Sequence, residues 1–440
     1  MKFTKFGKAL LISALSAGVV LGVSSCIQSY SVGYLYVTGT VTGQSNSNGI
    51  VSGYKIEHNT GQLTEINGLP ISSGGANPVR AVLITGSRFM YVLNRGVNAN
   101  GNANCSGTSG ATVCNGSNIT EFAVGGNGIL TPQATYYTQG LNPIRMVADS
   151  SGNYLMVLDH DSPSSSVCQT FMSTSTCGDI TIFKIDSTTG RLSLVSNTQG
   201  TSSLGTSLTY FPVPANPIDF VFNGGFVLTL SGSPATGDVV YPYAYTASTG
   251  QLTLSQNSTQ TLGLKQATGI VVAGGIVYVM DNEAPSPNPT GATSMIVPYT
   301  VGSSGALQAE TVGQIADDPT LSNPSYMLVE SKSKFLYVAN QGNNVTGANA
   351  GSGITGYFIT NSPAFQLSFT TPATFGIGSG PQCIVEDPSD QYIYTANYND
   401  STITGRVVDP NAGVLTNLRV ASSYTLTGPP TWCLVDGRTN

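Results

Sequence analysis

The stretch Leu336-Tyr337-Val338-Ala339-Asn340 is one copy of a short pattern that recurs seven times along this 440-residue sequence. Aromatic and β-branched residues are enriched in the pattern, and Gly, Asn and Ser bound it, which is typical of a β-strand. Seven copies in one chain indicate a repeat architecture. The other copies are Tyr34-Leu35-Tyr36-Val37, Met90-Tyr91-Val92-Leu93-Asn94, Tyr154-Leu155-Met156-Val157-Leu158-Asp159, Phe226-Val227-Leu228-Thr229-Leu230, Val277-Tyr278-Val279-Met280-Asp281 and Ile393-Tyr394-Thr395-Ala396-Asn397.

Each Tyr-rich strand lies inside a longer unit of four strands. The unit begins with an apolar strand after Asn-Pro or Gly-Pro, because a Pro at the first position of a strand costs no ladder hydrogen bond. These pairs are Asn77-Pro78, Asn142-Pro143, Asn216-Pro217, Asn323-Pro324, Gly380-Pro381 and Gly428-Pro429. A third strand follows the Tyr-rich strand, and a Gly-containing turn leads to the fourth. The clearest such turns are Thr60-Gly61-Gln62-Leu63, Thr189-Gly190-Arg191-Leu192 and Thr249-Gly250-Gln251-Leu252.

The two ends of the chain belong to the same repeat. The sequence ends on a first strand, Trp432-Cys433-Leu434-Val435, whereas the repeats begin near Gly33 on a second strand. A ring whose N-terminal and C-terminal strands share one blade closes without open edges. The sequence therefore predicts an all-β, seven-bladed β-propeller over residues 33–440. A solenoid is the alternative, but it does not explain the split final repeat.

The first 25 residues have the pattern of a secretory signal peptide. Lys2, Lys5 and Lys8 precede an apolar run over residues 9–23, which ends in the lipobox-like Val23-Ser24-Ser25-Cys26. We therefore predict lipidation of Cys26, a tether over residues 26–32, and attachment to the cell envelope at the outer membrane or the periplasmic face. A membrane-spanning helix and an ordinary cleaved signal are the alternatives, although the apolar run is short for a span.

Six cysteines remain once Cys26 carries the lipid, and an even number in an exported chain favours disulfides. Local pairing is the simplest assignment for Cys105 with Cys114 and for Cys168 with Cys177, because both pairs lie close together in Gly/Ser-rich stretches. Cys383 and Cys433 occupy matching places in neighbouring units. A disulfide there would staple the C-terminal strand, and two buried free thiols are the alternative.

The composition excludes several classes of function. The formal net charge is −6 and no basic cluster occurs, so nucleic acid is not a predicted partner. No CxxC spacing occurs and the chain has two histidines, so we predict neither a metal site nor a cofactor. We expect a monomer that contacts the membrane through its lipid anchor alone.

The first strands of a propeller line its central channel, so side chains near their starts lie at one mouth of it. Two positions past the Pro stand Arg80, Arg145, Asp219 and Tyr326, and we assign Cys383 and Cys433 to the same position in the last two first strands. The longest predicted loops rise on that face, over residues 95–118, 159–179, 282–293 and 341–351. Loops of this length usually have a function. The lipid precedes a strand that starts at the opposite face, so we expect the loops to point away from the membrane.

The recurring Asn-Pro-x-x, Tyr-Val-x-Asn and Thr-Gly-x-Leu motifs resemble those of the lactonase family of seven-bladed propellers. That family includes propeller-type 6-phosphogluconolactonases and fungal muconate-cyclising enzymes, and the resemblance covers Gly33 to Asp436. Its catalytic members carry Pro-Arg-His at the start of a first strand and a Glu after Tyr-Val-x-Asn. No repeat here matches both: the His position holds Arg80, Arg145, Asp219 or Tyr326, and the Glu position holds Arg95, His160, Asn282, Gln341 or Tyr398.

Lactone hydrolysis needs a base that activates water and a cation that stabilises the growing oxyanion. Arg80, Arg145 and Arg95 are the candidate cations, and Asp219 or His160 is the candidate base. Alternatively, Arg80, Arg145 and Asp219 form a structural ion-pair network, and His160 is an exposed loop residue.

Two main functions therefore compete. The first is a binding or interaction module that uses the loops and the channel mouth to hold a small anion, a glycan or an envelope protein, since the family's catalytic pair is missing. The second is an exported lactonase, a carboxylic-ester hydrolase acting on a sugar lactone, and a purely structural envelope role is a third possibility. Convergence of Arg80, Arg145, Asp219 and His160 on one pocket would favour the enzyme.

Overall fold

Seven antiparallel β-sheets form a closed ring in the computed structural model of this chain. The structure describes residues 30–41, 48–84, 86, 88–98, 114–201, 205–232, 237–254, 260–264, 266–282, 294–310, 315–343, 350–361 and 364–436. The predicted signal peptide, Cys26 and Cys105 lie outside these residues. Among the residues described, no helix has the length and apolar character that a membrane span requires.

The first half of the chain supplies most of the closing blade and then three complete blades. The closing blade, blade 7, takes β1 (Ser31–Thr40), β2 (Asn48–Glu57), β3 (Leu63–Glu65) and β4 (Ile71–Ala76). Blade 1 has β5 (Pro78–Leu83), β6 (Phe89–Asn94), β7 (Asn118–Val124) and β8 (Leu130–Tyr136). Blade 2 has β9 (Leu141–Ala148), β10 (Tyr154–Asp161), helix α1 (Ser165–Met172), β11 (Gly178–Ile185), β12 (Leu192–Leu194) and β13 (Phe211–Val213). Blade 3 has β14 (Pro217–Asn223), β15 (Phe226–Ser231), β16 (Val239–Thr246), β17 (Gln251–Leu254) and β18 (Gln260–Thr261).

The second half supplies three more blades and the last strand. Blade 4 has β19 (Ala267–Ala273), β20 (Ile276–Asp281), β21 (Met295–Val301), β22 (Leu307–Ala309) and β23 (Ile315–Ala316). Blade 5 has β24 (Pro324–Val329), β25 (Phe335–Asn343), β26 (Ala350–Asn361) and β27 (Ala364–Phe375). Blade 6 has β28 (Pro381–Glu386), β29 (Tyr392–Asn397), β30 (Thr402–Val408), β31 (Leu415–Asn417) and β32 (Ser423–Thr425), and β33 (Pro430–Asp436) completes blade 7.

The closing blade joins the two ends of the chain. Its innermost strand, β33, pairs antiparallel with β1, so that Cys433 lies opposite Val37. This pairing confirms the predicted seven-bladed propeller with a shared final blade. The fourth strand differs from the prediction in five blades, where two short segments pair with opposite ends of the third strand. In blade 2, for example, β12 pairs with one end of β11 and β13 with the other.

A contact between neighbouring blades repeats around the ring. An aromatic residue at or near the start of a second strand packs its ring on the Gly of the turn between the third and fourth strands of the next blade. In blade 5, Phe335 lies against Gly413 of blade 6, and a Cβ added at Gly413 would lie 2.5 Å from Phe335 Cδ1. The equivalent pairs are Tyr34 with Gly128, Phe89 with Gly190, Tyr154 with Gly250, Phe226 with Gly305, and Tyr392 with Gly61.

A tyrosine two positions further along the second strand hydrogen-bonds to the same glycine. Tyr337 Oη donates to the carbonyl of Gly413 at 2.9 Å, and its side chain is fully buried. The same bond joins Tyr36 to Gly128, Tyr91 to Gly190, and Tyr394 to Gly61. The hydrophobic clusters likewise lie between adjacent blades rather than within one blade. The Tyr-rich strand and the Gly turn are therefore the two halves of one contact between blades.

Two of the predicted disulfides are present, and the third is only partly described. Cys168 and Cys177 tie α1 to the start of β11, with their Cα atoms 5.4 Å apart. Cys383 and Cys433 join the inner strands of blades 6 and 7, with their Cα atoms 5.9 Å apart. Cys114 is buried and disulfide-bonded.

We predict that Gly413→Ala destabilises the propeller by about 2–4 kcal/mol, because it combines a left-handed backbone with overpacking against Phe335. Gly224→Ala is the matched control. Gly224 has a similar φ, +59° against +63° at Gly413, but a Cβ there would meet no atom within 4 Å. The control should lose only about 1 kcal/mol. Urea unfolding midpoints measure both values, and equal losses would show that the contact between blades contributes nothing.

Candidate functional site at the channel mouth

The starts of the first strands share one backbone geometry. Pro78 pairs with Asn94, the last residue of β6, and a register shift then places Arg80 opposite Leu93. Asn77, before the Pro, has φ +53°, a left-handed conformation that Asn tolerates better than most residues. Its carbonyl accepts a hydrogen bond from Arg95 N at 2.9 Å. This geometry explains the Asn-Pro motif and fixes the residue two positions past the Pro at the face where the second strands end, which we call the loop face.

The register identifies the equivalent residue in every blade. In chain order these residues are Arg80, Arg145, Asp219, Gly269, Tyr326, Cys383 and Trp432. The assignment of Cys433 to this position is wrong. In blade 7 the proline that begins the repeated backbone geometry is Pro430 rather than Pro429, and it lies opposite Gly39. Trp432 is the residue two positions further on. The sequence allowed this alternative assignment, since Pro429 and Pro430 are consecutive and either one could begin the strand.

Five of these seven side chains meet at the channel mouth. Arg145 Nε lies 2.9 Å from Asp219 Oδ1 of the next blade. The Arg80 guanidinium lies 3.9 Å from the centre of the Trp432 ring, and the Tyr326 ring meets Trp432 edge-on at 4.9 Å. Arg145 lies 6.0 Å from the Tyr326 ring, although blades 2 and 5 are on opposite sides of the ring of blades. These five residues, the mouth cluster, therefore converge across the channel.

The carboxylate of Asp219 is firmly held. It accepts hydrogen bonds from Phe220 N at 2.8 Å and from Ile270 N at 3.4 Å, in addition to its ion pair with Arg145. The Arg145 Nε hydrogen is not aimed at Asp219 well enough for a hydrogen bond, so this contact is an ion pair rather than a directed bond. Both carboxylate oxygens of Asp219 are therefore already in contact with other groups of the protein.

Arg80 is the cation of the mouth cluster without a carboxylate. Its Nη1 donates to the Val79 carbonyl at 3.0 Å, and within the described residues it has no ion-pair partner. Burial and the nearby Arg145 lower the pKa of Arg80 to about 9, so the guanidinium stays charged at neutral pH. The aromatic face of Trp432 stabilises that charge. Arg80 thus presents a positive charge at the mouth that a ligand anion could neutralise.

His160 lies in a second group of side chains at the end of β10. Its Nδ1 is 3.0 Å from Asp161 Oδ1, and Asn142 Nδ2 donates to Asp161 Oδ2 at 2.5 Å. Burial alone would raise the pKa of Asp161, but the hydrogen bonds from His160 and Asn142 and the charges of His160 and Arg95 lower it overall. The polar contacts of His160 in the described residues join it to Asp161 and not to the mouth cluster. The structure therefore brings Arg80, Arg145 and Asp219 together without the predicted histidine base.

The fold and the mouth cluster define a class, a seven-bladed propeller with a basic and aromatic group at one end of its channel. The family model "Lactonase, 7-bladed beta-propeller" matches residues 33–205 and 304–431. The chain therefore belongs to the lactonase family of seven-bladed β-propellers. The matched ranges include Arg80, Arg145, His160 and Tyr326, whereas Asp219 lies outside them.

Similar solved structures share the fold at low sequence identity. A putative 6-phosphogluconolactonase from Bacteroides fragilis is 15% identical with a TM-score of 0.62, over 92% of this chain and 98% of its own. The periplasmic gluconolactonase of Pseudomonas aeruginosa is 15% identical with a TM-score of 0.61, over 92% and 99%. At this identity the likeness establishes the fold alone. No curated protein matches the chain by sequence.

We predict that Asp219→Asn destabilises the protein by about 2 kcal/mol, because it leaves two arginines at the mouth without a counter-charge. The side chains of Arg145 and Asp219 are only 13% and 12% exposed, so solvent screens the pair incompletely. The amide keeps an acceptor for Phe220 N. The double variant Asp219→Asn/Arg145→Gln should recover part of the loss in urea unfolding. Strictly additive losses would show that the two charges are not coupled.

Proposed function

We propose that the mouth cluster binds a small anionic, hydroxyl-rich ligand such as a sugar acid. The observation that carries the proposal is the uncompensated charge of Arg80, whose half-buried side chain is held against Trp432 at the channel mouth. A guanidinium without a carboxylate partner is well suited to pair with a ligand carboxylate or phosphate.

The charge and shape of the cluster favour a ligand with one negative charge. Arg80 and Arg145 contribute two positive charges and Asp219 removes one, so a single anionic group would neutralise the site. Trp432 and Tyr326 add aromatic surface beside it, and a few polar groups among apolar walls are typical of small-molecule sites. The hydroxyl of Tyr326 can hydrogen-bond to a hydroxyl group of the ligand.

Hydrolysis of a sugar lactone is the second candidate, and membership in the lactonase family favours it. The bacterial structures named 6-phosphogluconolactonase and gluconolactonase share the fold of this chain. A hydrolase would need Asp219 as its base, since His160 pairs with Asp161 instead. Asp219 already accepts two backbone hydrogen bonds and forms an ion pair, so both of its oxygens have partners within the protein and neither is free to approach a water molecule. For this reason we rank binding above catalysis.

We also propose that the protein is a lipoprotein of the cell envelope, anchored at Cys26. Tyr30 precedes β1, and Ser31 pairs with Glu57 at the face opposite the loops. A lipid on Cys26 would therefore hold that face toward the membrane. The loop face, with α1 and its disulfide, would then point outward, where an envelope protein or a glycan could reach it.

Titration calorimetry of the chain without its signal and Cys26 tests the binding proposal. Gluconate, 6-phosphogluconate and glucono-lactone are the probes. Arg80→Gln should weaken binding of the anions by about 10- to 100-fold, which is the expected effect of losing one charge-assisted contact. Arg88→Gln, an exposed arginine outside the mouth cluster, is the matched control and should bind like the parent.

The same proteins decide between binding and catalysis. A pH-stat records lactone hydrolysis above the spontaneous rate. Turnover that Arg80→Gln and Asp219→Asn abolish and Arg88→Gln retains would make the chain a lactonase. Anion binding without turnover supports the binding module, and the absence of both overturns the proposed site.

A further inference from the structure

The second strand of several blades ends in an asparagine that ties it to the third strand just below the loop face. In blade 1, Asn94 Nδ2 donates to Asn118 Oδ1 at 2.8 Å and lies 3.2 Å from Thr120 Oγ1. Both asparagines are cross-strand partners in the β6–β7 ladder. The same amide-to-threonine bond joins Asn340 to Thr355 in blade 5 and Asn397 to Thr404 in blade 6. The arrangement needs an N–H donor at the end of the second strand.

Blade 2 has carboxyl groups at these positions. Asp159 and Asp179 are the cross-strand partners that correspond to Asn94 and Asn118. Thr181 Oγ1 lies 3.3 Å from Asp159 Oδ2 and 3.4 Å from Asp179 Oδ1. Both aspartates are completely buried, with 0% of either residue exposed. Two facing carboxylates carry no hydrogen to donate. The hydrogen bond that the side-chain amide makes in blade 1 therefore cannot form between them.

Each aspartate also has one buried oxygen without a hydrogen-bond partner, Oδ1 of Asp159 and Oδ2 of Asp179. Leaving a buried acceptor unsatisfied is unfavourable, and two adjacent buried charges are far more so. A bound proton would remove one charge and supply the missing donor. Among the described residues no group of three His, Cys, Asp or Glu side chains could hold a metal ion.

Among the described residues, no positively charged group interacts with either aspartate of the pair. On β10, Asp161 adds a third negative charge, and its own partners are His160 and Arg95. Tyr210, before β13, interacts electrostatically with Asp179 and carries no positive charge. The β9 strand brings Asn142, and α1 contains no charged residue.

We propose that Asp159 and Asp179 share one proton at neutral pH, so that the hydroxyl of one carboxylic acid replaces the amide donor of Asn94. The structure thus assigns to blade 2 a proton-binding site beneath the loop face. The site adjoins the loop over residues 162–177, which Ser162 N closes by donating to the Cys177 carbonyl at 2.8 Å. The Cys168–Cys177 disulfide staples this loop. Loss of the proton would restore the repulsion at the base of the loop, and the packing of blade 2 would then depend on pH.

The sign of this dependence follows from the pKa values. Burial raises the pKa of Asp159 to about 8, and burial together with the Asp159 charge raises the pKa of Asp179. The unfolded chain releases both protons near pH 4, about the usual value for Asp. Between about pH 4 and about pH 8 the folded chain therefore holds an extra proton, and its stability falls as the pH rises through that window.

Asp159→Asn is the direct test, because it builds the amide arrangement of blade 1 into blade 2. The full chain is unfolded in urea at several pH values from about 5 to about 9, the range in which the pair titrates. The parent should lose stability relative to Asp159→Asn as the pH rises, with a slope that corresponds to about one proton. Difference infrared spectra should show the carbonyl stretch of a buried carboxylic acid in the parent, and a weaker one in Asp159→Asn.

Glu386→Gln is the matched control. Burial also raises the pKa of Glu386, to about 7, but this residue lies in β28 of blade 6. The difference that Asp159→Asn makes should be the same with and without Glu386→Gln. If Asp159→Asn does not fold, Asp179→Asn breaks the same pair, and its stability curves and infrared spectra are compared with those of the parent in the same way.

Three results would overturn the proposal. The first is parallel stability curves for the parent and Asp159→Asn across the whole pH range. The second is the absence of a carboxylic-acid band that disappears at alkaline pH in the parent. The third is a chelator that lowers, or calcium that raises, the stability of the parent but not of Asp159→Asn, since the pair would then hold a cation instead of a proton.

Discussion

The contact between an aromatic ring on one blade and a glycine turn on the next is the constraint on which this ring depends. Phe335 against Gly413 is one of six such pairs, and in four of them a tyrosine hydroxyl also bonds to the glycine carbonyl. A single four-stranded sheet cannot bury both faces by itself, so each blade gains its core only from its neighbours. Blades 4 and 5 are joined instead by apolar packing and by a hydrogen bond from Tyr357 Oη to Asp317 Oδ1 at 2.8 Å.

Closure of the ring turns this local contact into a site. Because β33 pairs with β1, it completes the lining of the channel and places Trp432 at its mouth. The Cys383–Cys433 disulfide fixes that strand to blade 6. The repeated backbone at the starts of the first strands then holds seven residues of six types at one level. Identical geometry with unlike residues is what lets a repetitive fold build an asymmetric site.

The two clusters near the loop face differ in how they balance charge. The mouth cluster leaves one positive charge on the half-buried Arg80. Blade 2 instead carries three aspartates close together, and only Asp161 has cationic neighbours. An excess of positive charge at the channel mouth favours binding of an anion, whereas an excess of negative charge among fully buried side chains favours binding of a proton. The same strand, β10, contributes to the negative group and borders the positive one.

The sequence by itself determined the blade number, the strand order, the split final blade and two disulfides, since these follow from repeats whose period and turn chemistry are visible in one dimension. It also placed Arg80, Arg145 and Asp219 at the channel mouth. Only the tertiary structure decided which of the candidates meet, because contacts across the channel join blades that are far apart in the chain. The register shift at Pro430 places Trp432 rather than Cys433 at the site. His160 pairs with Asp161 and does not contact the mouth cluster. Burial of Asp159 and Asp179 was equally invisible in the sequence, because desolvation depends on what the surrounding blades exclude.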